Sequence, residues 1–236
     1  MCLKRGLFLR LQKLGSDLLT SCYSLNNDKK MNVFVLCTGR CGSHTFIEAC
    51  KHISNYSAGH ETRSRFLGKE RLNFAPNHIE ADNRLVWFLG RLDTMYGDEA
   101  FYVHLTRERQ GNAASLSRYM HMGILKAYTN GILMRSSYRN DPMEFSLDFY
   151  DNVNMNIKTF LKDKSRKMDF TLENAEDDFQ IFWDRIGAQG DLDAALGEWR
   201  RTYNKSKMDI FEKINETFRR LRRKFKRPIE KDYPSI

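Results

Sequence analysis

A chain of 236 residues can bury one sizeable core, and its 41% hydrophobic and 12% aromatic content is enough to fill it. Those values fit one globular domain and exclude a disordered or fibrous chain. The formal charge of +9 is uneven: seven of the nine residues from Arg219 to Arg227 are basic, and the remainder carries only +2. The basic balance is therefore a property of the tail, and no specific nucleic-acid partner is expected from it. No apolar run approaches the ~18 residues of a membrane-spanning helix. The five cysteines are odd in number, fall within the first fifty residues and form no Cys-x-x-Cys, which suits a reducing, cytoplasmic setting.

In chain order, Leu7, Leu11, Leu14 and Leu18 recur at helical spacing with Lys4, Arg5, Arg10 and Lys13 around them. This predicts a basic amphipathic helix, which either lies on a membrane surface or packs back on the domain. The spacing then predicts a strand over 32–37, a loop over 38–43 and a helix from Ser43 to Lys51. A second strand is expected in the first half of 53–61, and residues 62–81 read as irregular. A helix over Asn83–Tyr96 and a third strand over Ala100–Thr106 follow, then a helix around Ala113–Tyr119. Residues 121–145 give no clear period. A helix over 147–162, a strand over Met168–Glu173, and helices over Asp177–Ile186, Leu192–Tyr203 and Met208–Phe225 complete the reading. The alternation predicts an α/β fold of three αβα layers on a mostly parallel sheet. Boundaries are expected at 1–31 for the helix and linker, 32–206 for the domain and 207–236 for the basic tail.

The stretch Asn32–Phe46 organises the chain. An apolar strand, a loop with Gly39 and Gly42, and a helix start at Ser43-His44-Thr45 make an anion cradle from loop amides and the helix dipole. Arg40 adds a full charge in a fork that suits phosphate or sulfate oxygens. The loop does not match the Gly-x4-Gly-Lys-Ser/Thr nucleotide loop, because the glycines are too close and no lysine follows Gly42. Cys41 reads as a small residue that fits the turn. A second anchor follows the third strand: Arg107 at its mouth, Ser115 on the next helix behind the slim Ala113-Ala114, and Arg118 one turn on. An arginine at a strand end and a serine on the facing helix can clamp a second phosphate.

The order Arg40-Cys41-Gly42-Ser43-His44-Thr45 resembles the 5′-phosphosulfate loop of sulfotransferases that use 3′-phosphoadenosine 5′-phosphosulfate. Arg107 and Ser115, followed by Arg118-Tyr119, are similar to that family's 3′-phosphate element. A further echo is Phe170–Asn174 with the helix ending Phe182–Gly187, so the likeness spans about 32–187. The resemblance implies a P-loop-like nucleotide site and transfer of a sulfuryl group to an acceptor hydroxyl, leaving adenosine 3′,5′-bisphosphate. Arg40 would steady the bridging oxygen. The backbone from Cys41 to Phe46, with Ser43 and Thr45 hydroxyls, would hold the phosphosulfate. His44 departs from the family's usual Ser/Thr. No metal is expected, because a transferring sulfuryl carries less charge than a phosphoryl.

The acceptor needs a base. Glu61 is favoured on position, His78 stands second, and His60 is a third candidate, while His104 reads as a core residue. The acceptor pocket is expected from 62–81 and 120–146, with Arg63, Arg65, Arg71, Tyr128, Tyr138 and Arg139. That mix favours a carbohydrate or acidic glycan and also suits a phenol. Competing readings are a small nucleotide or phosphate-transfer kinase, which would need the missing lysine, and a polyanion- or membrane-binding module built on the basic tail.

Overall fold

The computed structural model describes residues 31–134 and 141–201. The expected N-terminal helix, the basic tail, Tyr138 and Arg139 lie outside the described residues.

Five strands form one sheet: β1 (Val33–Cys37), β2 (Ser57–His60), β3 (His78–Ala81), β4 (Phe101–Thr106) and β5 (Lys167–Thr171). Their order is β2-β3-β1-β4-β5, and every pair is parallel. Alternation along the strands sends side chains to two separate cores, as a doubly covered parallel sheet requires. Val33, Val35 and Cys37 of β1 join Val103 and Leu105 of β4 on one face. Phe34 and Leu36 join Tyr102 on the other.

Helix α1 (Ser43–Cys50) covers the first face, with α6 (Ala175–Ile186) and α7 (Leu192–Trp199). The second face is covered by α2 (Leu89–Tyr96), α3 (Arg109–Ser117), the short α4 (Gly123–Ala127) and α5 (Pro142–Leu161). Right-handed crossovers explain the split. From β1 the chain moves toward β2 through α1; from β4 it moves the opposite way, toward β5, through α3 to α5. Neighbouring strands β1 and β4 therefore send their helices to opposite faces, and a crevice opens between their C-terminal ends.

Several sequence expectations change. Residues 62–81 are not all irregular, because β3 lies between β1 and β2. Its Glu80 is fully buried, and a buried carboxylate breaks the apolar signal of so short a strand. The second strand is the later half of 53–61. The helix expected from Asn83 divides into a 3-10 turn, Asn83–Trp87, and α2. The side chain of Asp82 starts that turn by accepting from the Arg84 amide. Residues 121–145, which gave no clear period, contain α4, a π turn over Tyr128–Ile132 and the start of α5, where Asp141 caps Met143 and Pro142 opens the first turn. Among the described residues, no helix is long and apolar enough to cross a membrane.

Phe46 holds α1 to the sheet. It is fully buried, with ring centroids 5.1 Å from Phe170, 5.6 Å from Phe179 and 4.9 Å from Phe182. Phe46→Ala is expected to cost about 3–5 kcal/mol, read as a lower urea midpoint with an unchanged m-value.

Candidate active site

The turn from β1 into α1 needs unusual backbone. Gly39 (φ 80°), Arg40 (φ 57°) and Gly42 (φ 92°) all lie in the left-handed region. Gly42 permits close packing: a Cβ there would sit 2.7 Å from Leu172 Cδ1. No side chain caps α1 and no acidic residue occupies its first turn. The amides of Ser43, His44 and Thr45 therefore lack intrahelical acceptors, as at any helix start. Phe46 is a correction to the expected anion-binding backbone: its amide donates to Gly42 O at 2.9 Å, closing the first turn, and its side chain is core. Cys41 is also buried, with its thiol within hydrogen-bond reach of the Gly39 and Ser43 amides. Its thiol contacts Cys37; that contact pulls the Cys41 pKa down and, with burial, pushes that of Cys37 up.

The two sequence anchors meet. Arg107 Nη1 donates to the carbonyl of Arg40 at 3.4 Å, and Arg40 Nε donates to Ser115 Oγ at 3.2 Å. The Arg40 guanidinium lies 4.5 Å from the Tyr119 ring centroid. Tyr150 OH donates to the Arg107 carbonyl at 2.9 Å and fixes that strand end. Buried Asn112 donates through Nδ2 to Gly39 O at 3.1 Å, joining the loop to α3. The N-terminus of α3 is not open to an anion, because Glu108 accepts from the Gln110 and Gly111 amides. Those bonds hold the Glu108 carboxyl below its usual range. Any phosphate there would rely on Arg107 and Ser115. Arg118 is exposed at the C-cap of α3 and does not line the central cleft.

That cleft, of about 350 Å³, opens at the crevice between the strand ends. His60 and Glu61, at the end of β2, line it with Ser43 and His44 of α1. His60 Nε2 is 3.1 Å from Ser43 Oγ, and its ring centroid is 5.7 Å from that of His44. Burial lowers the pKa of His60, favouring the neutral ring. Glu61 is held at φ 55°, and its Oε2 is 2.6 Å from Arg84 Nη1. Four non-glycine residues have positive φ among the described residues, and two of them, Arg40 and Glu61, face this cleft. Such strain costs about 1–3 kcal/mol per residue and persists where surrounding contacts over-determine it.

His78 does not reach the cleft. It begins β3, level with Ser57 at the opposite end of the sheet from the loop. Its Nδ1 is 2.8 Å from Ser57 Oγ and its Nε2 is 2.9 Å from Glu80 Oε2. Glu80 accepts from the Thr62 amide and hydroxyl, each at 2.7 Å. His78 and Glu80 thus brace the turn that carries Glu61, a role that distance from the loop made invisible in sequence. Arg84 and Asn83 were not foreseen as cleft residues either; their place follows from β3, the strand sequence reading missed.

Three of the residues expected in an acceptor pocket, Arg63, Arg71 and Tyr128, do other work. Arg71 is buried against Asp82 at 2.5 Å, and Arg63 pairs with Glu70 at 2.8 Å. Tyr128 is buried with its hydroxyl donating to Asp148. The cleft wall is Leu116, Tyr119, Met122, Ile124 and Leu125, the last three from within the expected segment 120–146. His104 is a core residue as expected, with Nε2 2.8 Å from Asn154 Oδ1. Burial lowers its pKa too. Among the described residues, no group of three or more His, Cys, Asp or Glu side chains is placed to hold a metal ion.

No protein-family model and no curated protein matches the chain. Among solved structures it is similar to mouse sulfotransferase SULT7A1 complexed with PAP, at 10% identity and a TM-score of 0.48, over 72% of this chain and 64% of that one. The match thus spans less than two thirds of that protein's length.

His60 and His104 give stability a pH dependence. Both folded-state values lie below the ordinary value, near 6.5. As pH falls through about 6.5, the unfolded chain takes up protons that the folded chain does not. These sites then lose stability with falling pH, by at most about 1.4 kcal/mol per pH unit for each proton. Urea midpoints measured from pH 7.5 to 5 should fall, and less steeply in His104→Gln.

Proposed function

We propose that the chain is a sulfotransferase, moving a sulfuryl group from 3′-phosphoadenosine 5′-phosphosulfate to an acceptor hydroxyl. The observation that carries this is the meeting of Arg40 and Arg107, with Ser115 against Arg40, on one rim of a parallel sheet beside an uncapped helix start. The groups gathered there include many hydrogen-bond donors: the α1 amides, two guanidinium groups and the hydroxyls of Ser43, Thr45 and Ser115. That chemistry fits a nucleotide with anionic groups at both ends, and the loop has no lysine of the kind an ATP site uses.

The bound donor would supply the activated sulfuryl group. Ser43, Thr45 and the α1 amides hold its phosphosulfate end, and Arg40 offsets charge on the departing bridging oxygen. Arg107 and Ser115 hold the 3′-phosphate. His60 is the better base of the two in the cleft, because desolvation keeps its ring neutral, while the Glu61 carboxylate is engaged by Arg84. Which ring nitrogen accepts the proton follows from the Ser43 hydrogen bond. Glu61 and Arg84 then orient the acceptor end. The acid limb of a transfer rate should lie below pH 6.5. Entry to the cleft from the cytoplasm, and any recruitment of membranes or polyanions by the basic termini, belong to the same proposal.

Calorimetry with adenosine 3′,5′-bisphosphate tests it. Binding is expected with or without magnesium, lost in Arg40→Ala and weakened about 10- to 100-fold in Arg107→Ala, as for charge-assisted hydrogen bonds worth about 1.5–3 kcal/mol. Equal affinity for ATP would overturn the reading in favour of a kinase.

A further inference from the structure

The cleft has two unlike ends. The floor carries Ser43, His44, His60, Glu61, Asn83 and Arg84, with Ser43 against His60 and Glu61 against Arg84. The wall is built from the end of α3 and from α4. Leu116 and Tyr119 lie one turn apart. Gly123, at φ 54°, turns the chain so that Ile124 and Leu125 return to the same cavity beside Met122. Leu116 and Leu125 are buried, whereas Met122 is 40% exposed, a large apolar side chain left at the rim. One face of Tyr119 is taken by the Arg40 guanidinium.

From this arrangement we infer that the acceptor is a small, largely apolar alcohol, an aryl or alicyclic ring with one hydroxyl aimed at the floor. The inference rests on the sulfotransferase reading for the direction in which that hydroxyl points. A sugar carries a hydroxyl on nearly every carbon. Against Leu116, Met122, Ile124 and Leu125 those hydroxyls find no side-chain partner, and each one buried so costs about 1–3 kcal/mol. A ring without them gains about 25 cal/mol for each Å² of apolar area it buries there. A cavity of about 350 Å³ is at the small end for ligand sites and fits one or two rings. Two of the arginines that would have greeted an acidic glycan are engaged elsewhere, Arg63 with Glu70 and Arg71 with Asp82.

The test titrates the full chain, with adenosine 3′,5′-bisphosphate present at saturation and then absent, with 2-naphthol and separately with N-acetylglucosamine and a sulfated glycan disaccharide. The expected result is saturable naphthol binding at least tenfold tighter than either sugar. Ile124→Lys, at a half-buried wall position, should weaken naphthol binding at least tenfold and leave bisphosphate affinity within twofold. Met122→Glu, at the rim, should act in the same direction. Bisphosphate binding with no preference for naphthol, or naphthol binding indifferent to both variants, overturns the inference alone. Naphthol binding that both variants weaken, without any bisphosphate binding, supports the apolar pocket and overturns the donor reading. Binding of neither overturns both.

Discussion

The buried amide of Asn112 ties the loop after β1 to the helix after β4. Through Nδ2 it bonds the carbonyl of Gly39, and Thr38 Oγ1 lies 3.4 Å from its Oδ1. Gly39 belongs to the loop after β1; Asn112 belongs to the helix after β4. Those two connections run to opposite faces of the sheet, and the tie adds to the parallel pairing of β1 with β4 in keeping their ends together. The tie places Arg40 over Ser115 and Tyr119 and brings Arg107 beneath the loop. Removing it would take one of two donors from the Gly39 carbonyl, which Thr38 Oγ1 also reaches at 3.0 Å, and loosen the link between the two anchors.

A second set of buried charges positions the other side of the cleft. Glu80 and Asp82 stand two residues apart, so they emerge from one face of the chain. Both are fully buried. Glu80 grips Thr62 and His78; Asp82 pairs with Arg71 and accepts from the Arg84 amide. Of the neighbours they hold, Thr62 follows Glu61 in sequence and Arg84 pairs with it in space. A carboxylate with three hydrogen-bond donors is tolerable in a core, whereas an unpaired one is not. The left-handed backbone of Glu61 is affordable because these contacts fix both sides of it.

How much of this was legible in the sequence depends on the kind of signal. The strand, glycine loop and helix start over 32–50 could be read directly, because a buried parallel strand is an uninterrupted apolar run and the glycines mark the turn. The nearness of Arg40 and Arg107 was also legible, since both follow strands and parallel strands end on one edge. Strand β3 was not: His78-Ile79-Glu80-Ala81 has no apolar run, and its pairing is a tertiary fact. With β3 unseen, His78 could not be assigned to the far end of the sheet, nor Asn83 and Arg84 to the cleft. The apolar wall was hidden for another reason. Leu116 to Leu125 span a helix end, a left-handed glycine and a short helix, and no single period runs through such a segment. What Arg63 and Arg71 do was likewise settled by partners that only the fold supplies.

The left-handed conformation of Arg40 has a consequence for how the loop meets an anion. Its torsion is already set by Gly39, Gly42 and the contacts of its side chain with Ser115 and Tyr119. The nest is therefore shaped before anything enters it, and little chain entropy remains to be lost on occupancy. An incoming ligand acts on such a scaffold chiefly by mass action, drawing the folding equilibrium toward the native side in proportion to the logarithm of its concentration over its dissociation constant. Occupancy would thus register as heat resistance more than as a change of shape.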